Sequence, residues 1–386
     1  MMTKQNSTSS RLAILNDPQA QKILHALLQT EQHLFITGRA GTGKSTLLNY
    51  FLTQLKNINY VVLAPTGVAA LNVGGETFHR FLRLKPGATK QEVINEARFA
   101  KRSKNAKLYL ELQLIVIDEI SMVRADLFDA LDIFLRTVRH SNAPFGGVRV
   151  VSFGDLYQLP PVVTQDEVPL FQSYYQTPYF FSSDVFHELS QAALFSNFAC
   201  LQLEQIYRQT DRDFIDFLNS VRHNRVDQDQ LNQVNRRVLD GCGLDDLDPH
   251  FVILTVTRNR AQKINLNRLA NLSHPARAFK SVTKGKFSAL TQPAEAELQL
   301  KVGARVMLLN NQPDGLWVNG STGKISAIDD DNQLIYVQLD GGAEVPVAKH
   351  TWETARSTFD EKTGKITREV IGSFTQFPLQ LAWAIT

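Results

Sequence analysis

The octapeptide Gly38-Arg39-Ala40-Gly41-Thr42-Gly43-Lys44-Ser45, entered from the apolar run Leu34-Phe35-Ile36 and left through a helix-like stretch from Thr46 to Leu55, leaves this chain very few ways to fold. Backbone N–H groups of such a loop can converge on phosphate oxygens only where side chains do not crowd the concavity, and Gly41 and Gly43 give that clearance. Lys44 supplies a point charge for β- and γ-phosphates, Ser45 a hydroxyl for Mg²⁺, and the following helix its positive end. Gly38, Ala40, Gly41, Thr42, Gly43, Lys44, Ser45 and Thr46 are therefore the candidate nucleotide contacts, with ATP and Mg²⁺ as the expected cofactors. Kinases, GTPases and helicases share this loop, so the use made of the energy must be read elsewhere.

Five short apolar runs each end at a polar or glycine-containing turn: Leu34 to Thr37, Tyr60 to Ala64, Leu114 to Ile117, Val148 to Phe153 and Phe251 to Val256. Near-continuous Val/Ile/Leu runs separated by helical stretches suit a parallel sheet buried on both faces, whose ligands gather beyond the carboxyl ends of its strands. Asp17 and Pro18 predict the cap and first turn of a helix with Ile23, Leu24, Leu27 and Leu28 on its apolar side. Arg124 to His140 carries a similar stripe. Asp211 to Leu239 predicts two more polar helices. From Leu298 to Thr351 the pattern changes to alternation broken by Asp, Asn and Gly turns, which predicts a small antiparallel barrel. The closing Phe377 to Thr386 starts like another buried strand.

A 43% hydrophobic, 20% charged composition over 386 residues gives enough apolar surface for two or three cored domains. The polar start lacks the apolar core of a leader and no run reaches membrane-spanning length, which predicts a cytosolic chain, or a nuclear or mitochondrial one in a eukaryote, with no membrane contact. Two cysteines, Cys200 and Cys242, suit a reducing compartment. A net charge of +3 is modest for a nucleic-acid binder. Its distribution is more informative, because Arg98, Lys101, Arg102, Lys104 and Lys107 form a basic stretch without an acid, either a solvated helix face or a phosphate-backbone contact.

Two further motifs lie beyond predicted strands. In Leu114-Ile115-Val116-Ile117-Asp118-Glu119-Ile120-Ser121 the first carboxylate is placed to hold the metal and the second to polarise the water that attacks the γ-phosphate. In Gly154-Asp155-Leu156-Tyr157-Gln158-Leu159-Pro160-Pro161 a glutamine can sense the γ-phosphate or the attacking water, and the rigid Pro-Pro segment can pass that state on.

These motifs, with Ala64-Pro65-Thr66-Gly67-Val68-Ala69-Ala70, Thr77-Phe78-His79, Ile206-Tyr207-Arg208-Gln209 and Asn319-Gly320-Ser321-Thr322-Gly323 in this order, resemble the Pif-type (petite integration frequency) DNA helicases of the RecD-related branch of superfamily one. The resemblance spans nearly the whole chain. It implies that Gln21, or its neighbour Gln19, reads the adenine base, and that Arg208 reaches the γ-phosphate, completing a catalytic set of Lys44, Glu119, Gln158 and Arg208. It implies a single-stranded DNA track through Thr66, Gly67, Thr77, His79 and Pro160, with Asn319 on a barrel turn facing the DNA.

The fold class so implied is α/β, a P-loop NTPase of two RecA-like parallel-sheet motor domains with an SH3-like barrel insertion and an incomplete second motor. The expected boundaries are 1–195 for the first motor, with a basic insertion at about 82–112, then 196–295 for the second motor, 296–372 for the barrel and 373–386 for the return. The implied activity is ATP-driven translocation on single-stranded DNA, 5′ to 3′, with unwinding at duplex junctions by a monomer. The chain closes at Thr386 before the family's His-Lys-Ser-Gln-Gly stretch and its last arginine, which implies impaired turnover. A nucleotide-gated single-strand binder without turnover and another P-loop nucleotide enzyme are the alternatives.

Overall fold

Residues 13–188, 198–207, 211–239, 241, 243, 247, 251–312 and 314–386 are described by the computed structural model; Arg208 and Cys242 lie outside them. The packing divides the chain into two units. One runs to Ile215 and takes in Thr354–Ile371, and the other holds Asp216–Glu353 and Gly372–Thr386.

In the first unit the chain runs α1 (Pro18–Gln29), β1 (His33–Gly38), α2 (Lys44–Gln54), β2 (Tyr60–Ala64), α3 (Gly67–Asn72), β3 (Glu76–Thr77), α4 (Phe78–Leu82), α5 (Lys90–Arg102) and α6 (Ala106–Leu110). It continues through β4 (Leu114–Ile117), α7 (Ala125–Arg139), β5 (Arg149–Gly154), α8 (Val168–Tyr174) and β6 (Phe198–Leu203). The strands form one sheet in the order β3-β2-β4-β5-β1-β6, every pair parallel. The central strands are mostly apolar because both faces are covered, and all four residues of β4 are apolar and buried. Ile23, Leu24 and Leu27 of α1 and Leu47, Leu48 and Phe51 of α2 close one face. Phe128, Leu131, Phe134, Leu135 and Val138 of α7 head the cluster on the other. Asp17 caps α1 as expected, accepting from the N–H groups of Gln19 and Ala20 at 2.9 and 3.0 Å.

Two segments depart from the expected boundaries. The strand β6 lies beyond residue 195 yet pairs with β1 from His33↔Phe198 to Gly38↔Leu203, so it belongs to the first sheet. The tip of a long ribbon, 354–371, also packs on this unit rather than with the barrel. Phe359 and Ile366 lie against its core, the Ser357 N–H donates to Glu76 Oε1 at 3.0 Å, and Asn59 Oδ1 accepts from the Ile366 N–H at 2.9 Å.

The second unit contains α9 (Arg212–Arg222), whose first residues precede the boundary, and α10 (Gln228–Asn235), the two helices expected there. The expected fifth strand shortens to β7 (Ile253–Leu254), followed by α11 (Arg258–Ala270), β8 (Arg277–Lys280), β9 (Val282–Gly285) and β10 (Glu297–Leu300). Then come β11 (Arg305–Leu308), β12 (Thr322–Asp329), β13 (Leu334–Leu339), β14 (Glu344–Val347), the ribbon strands β15 (His350–Asp360) and β16 (Lys365–Gln376), β17 (Leu379–Leu381) and β18 (Ala384–Ile385). The antiparallel sheet in the region expected to form the barrel has the order β14-β13-β12-β11-β17 and packs over Val306, Leu308, Ile325, Ile335, Val337 and Phe377. The closing segment serves two sheets. Its β17 completes the barrel sheet, and β18 pairs parallel with β7 beneath α11, where Asn265 bonds both the N–H and the carbonyl of Ala384 at 2.8 Å.

Candidate nucleotide and DNA site

The phosphate loop joins β1 to α2. Gly41 and Gly43 take left-handed φ values of 81° and 91°, which strain any residue with a Cβ. A Cβ at Gly43 would stand 2.7 Å from Ile14, and one at Gly38 would stand 2.6 Å from the Leu203 carbonyl oxygen at the end of β6. The first residue of α2 is Lys44, and its N-cap Gly43 offers no side-chain acceptor, so the opening N–H groups face the loop. The Lys44 ammonium donates to the carbonyls of Gly38 at 2.6 Å and Arg39 at 3.1 Å. Thr42 is buried, its hydroxyl donating to Arg39 O at 2.9 Å, whereas Ala40 and Ser45 are exposed and Thr46 half-buried.

Beyond β4, Asp118 sits with its N–H on the Leu63 carbonyl, and its Oδ1 accepts from the Glu119 N–H at 3.0 Å. Burial, reinforced by the Glu119 carboxylate, raises the Asp118 pKa to about 6, against the pull of the Glu119 N–H and the Lys44 ammonium. Glu119 is held at φ 52°, a left-handed conformation costly for a residue with a side chain. Gly154, at the end of β5, allows the neighbouring turn this close, because a Cβ there would lie 2.8 Å from Ile120 and 3.1 Å from the Ser121 nitrogen. The buried Asp155 accepts from Gln158 Nε2 at 3.0 Å and from the Tyr157 N–H at 3.1 Å, so the glutamine head is aimed before any ligand arrives. Gln158 and Pro160 are themselves exposed.

The residues present fit a magnesium–nucleotide group. The cradle is one that side chains would fill, a cation stands at its mouth, and the hydroxyl of Ser45 and the carboxylate of Asp118 are hard oxygen donors of the kind Mg²⁺ takes. Gln21 is exposed on α1, its amide donating to the Leu15 carbonyl, while the side-chain Oε1 of Gln19 accepts from the Glu204 N–H at 3.0 Å.

Thr66 and Thr77 stand at the ends of β2 and β3 as the N-caps of α3 and α4, accepting from the N–H groups of Ala69 and Arg80 at 3.2 and 3.3 Å. Gly67 opens α3. His79 is half-buried on α4, and burial holds its pKa below the usual histidine value; the Asp126 carboxylate opposes that shift and the Arg124 guanidinium adds to it. Asn319 lies in the second unit at an exposed turn, its N–H on Asn311 Oδ1 at 2.9 Å. Sequence reasoning missed Tyr207. Its N–H donates to Gly41 O at 2.9 Å, tying the chain after β6 to the phosphate loop. The only signal was its place in the quoted Ile206-Tyr207-Arg208-Gln209.

The phosphate loop, the Asp118-Glu119 pair and the Gln158 loop therefore follow β1, β4 and β5, and Thr66, Gly67, Thr77 and His79 follow the adjoining β2 and β3 of the same sheet, whereas Pro160 lies beyond β5 and Asn319 in the second unit. The model of the PIF1-like helicases matches residues 15–232, more than half of the chain. The chain belongs to the PIF1-like helicase family. Among curated members, the ATP-dependent DNA helicase Pif1 of Bdellovibrio bacteriovorus is 32% identical over 368 residues, covering 93% of this chain and 76% of that protein. Human ATP-dependent DNA helicase PIF1 is 33% identical over 390 residues, 99% of this chain but only 56% of its own length. Pif1 from Bacteroides sp., solved with ADP-AlF4, superposes with a TM-score of 0.83 at 36% identity, over 96% of this chain and 82% of that one. The same Bacteroides helicase bound to single-stranded DNA gives 0.55 at 35% identity over the same shares. As a PIF1-like helicase the chain has the expected P-loop, RecA-like fold, and among the described residues no helix is long and apolar enough to cross a membrane.

Proposed function

We propose that this chain hydrolyses ATP to move along single-stranded DNA, 5′ to 3′, and to open duplex junctions as a monomer. The observation that carries this reading is the shared sheet, in which the phosphate loop, the Asp118-Glu119 pair and the Gln158 loop end neighbouring strands beside Thr66, Thr77 and His79. Loop N–H groups and Lys44 bind the triphosphate, and Gln21 reads its base. Ser45 and Asp118 would hold Mg²⁺, which when bound would supply charge neutralisation at the phosphates. Glu119 takes the proton of the attacking water, and Gln158 orients that water from its support on Asp155. Arg208 supplies a further cation at the γ-phosphate. Thr66, Gly67, Thr77 and Pro160 line the strand's backbone, His79 stacks on a base, and Asn319 adds a contact from the barrel.

Phosphate release measured with and without oligo(dT), together with displacement of a strand from a forked duplex, tests the proposal. Hydrolysis stimulated by single strands and abolished by Lys44→Ala is expected. Nucleotide and DNA binding without turnover in the parent chain would instead identify a nucleotide-gated binder.

A further inference from the structure

Arg124 follows the Asp118–Met122 turn by two residues and joins three segments of the first unit. Its Nε and Nη2 donate to the two carboxylate oxygens of Asp126 at 3.1 and 2.8 Å. Its Nη1 donates to both oxygens of Glu167 at 3.0 Å and reaches the Val162 carbonyl at 3.5 Å. The guanidinium also lies over the Phe171 ring, 5.0 Å from its centroid. Glu167 in turn accepts the Thr164 N–H at 3.0 Å and the Thr164 hydroxyl at 2.8 Å. The end of the loop carrying Gln158 and Pro160 is thus pinned to the start of α7 through a single cation. On the other side, α4, which carries His79, packs against α7, which carries Asp126, and the charges of Asp126 and Arg124 act on the His79 imidazole. One guanidinium therefore separates two carboxylates, Asp126 beside the expected DNA contact and Glu167 at the end of the γ-phosphate-sensing loop. A lysine could not replace it, since a point charge cannot form the forked contact to Asp126 and still reach Glu167.

We infer that Arg124 is a positioning residue that couples occupation of the single-strand track at His79 to placement of Gln158. The inference rests on the helicase reading. A base or phosphate arriving at His79 changes the field at Asp126, and Arg124 redistributes its hydrogen bonds between Asp126 and Glu167. The Val162–Glu167 stretch tightens or slackens accordingly. Pro160 and Pro161 stiffen the few residues between that stretch and Gln158, so the displacement is transmitted rather than absorbed. Arg124 touches neither nucleotide nor DNA in this scheme.

The test is steady-state hydrolysis of Mg²⁺-ATP with and without oligo(dT), alongside fluorescence anisotropy of the same labelled oligonucleotide. For Arg124→Gln, the unstimulated rate and the KM for ATP are expected within about twofold of the parent. The factor by which DNA stimulates hydrolysis should fall about tenfold, a size usual for coupling between sites. DNA affinity itself should change far less. Glu167→Gln, on the more exposed side of the pair, should reproduce the loss without perturbing α7. The double variant should be no worse than either single one, because both cut the same link. Arg124→Lys should restore little. Full stimulation in a folded Arg124→Gln, or an equal drop in basal and stimulated rates, overturns the inference and leaves the helicase reading standing. Absence of stimulation in the parent chain overturns both.

Discussion

At the residue scale, the geometry of the phosphate loop was legible because it is carried by residue types that have few substitutes: two glycines that must turn left-handed, a lysine, and a carboxylate pair at a strand end. What the sequence did not disclose is the backbone pose of Glu119, held at φ 52°, because side-chain patterns carry no φ. The proposed roles of the two acids can be separated by substitution. Glu119→Gln keeps shape and hydrogen-bonding reach but loses basicity, so it should bind Mg²⁺-ATP normally and lose hydrolysis by about 10²-fold or more. Asp118→Asn should instead lose metal-dependent nucleotide binding; isothermal titration with and without Mg²⁺ separates the two, and exchanged phenotypes would reverse the assignment. A second residue-scale expectation concerns His33, which nothing in the sequence marked. Its Nδ1 accepts the Val150 N–H at 2.9 Å between the rings of Phe145 and Phe198, an arrangement available only to the neutral imidazole. Burial, with a smaller push from the Arg149 guanidinium, lowers its pKa to about 4. A depressed folded-state value means that this contribution to stability is full above the unfolded pKa near 6.5 and is lost as the pH falls toward 4. Thermal melts across that window should show His33→Gln losing part of the parent's acid sensitivity; parallel curves would discount the buried imidazole.

At the scale of elements, helices were read well where caps and stripes coincide, as at Asp17 with α1, and central strands were read well because burial on both faces makes them predominantly apolar. The misses share a cause. In β6 the exposure varies from residue to residue at the edge of the sheet, and β15 and β16 are rich in Thr, Arg and Glu with no apolar alternation over most of their length. Their pairing is set by backbone hydrogen bonds and by docking at a few points, neither of which leaves a hydrophobic period. The basic stretch is resolved differently. Lys107 pairs with Glu361 at 3.0 Å, whereas Arg98, Lys101 and Arg102 line an open groove of about 470 Å³ with Thr137 and His140. On α5 the spacing i, i+3, i+4 puts the three cations on one face. If that groove follows a DNA backbone, reversing all three to Glu should flatten the slope of log affinity against log salt for a forked duplex by about 2 to 3. A slope unchanged from the parent across a salt series would return the groove to solvent.

At the scale of the molecule, the described residues form separate hydrophobic cores, two flanking the parallel sheet, one against the five-stranded antiparallel sheet and a small one beneath α11. Each buries its own apolar surface, so unfolding need not be all-or-none. Ligand linkage then acts on one unit alone, because a nucleotide held by the phosphate loop stabilises only what must stay folded to hold it. At a free concentration a hundred times the dissociation constant that amounts to about 2.7 kcal/mol. The tryptophans make the difference measurable. All three, Trp317, Trp352 and Trp383, belong to the second unit, and the first has none. Indole fluorescence excited at wavelengths that tyrosine does not absorb therefore follows the barrel-bearing unit, while far-ultraviolet circular dichroism follows both. Saturating Mg²⁺-ATP, with Glu119→Gln used to prevent turnover, should move a circular-dichroism transition to higher denaturant and leave the tryptophan transition where it was. An equal shift in both would mean that the units unfold as one cooperative block or that nucleotide is held by residues of each.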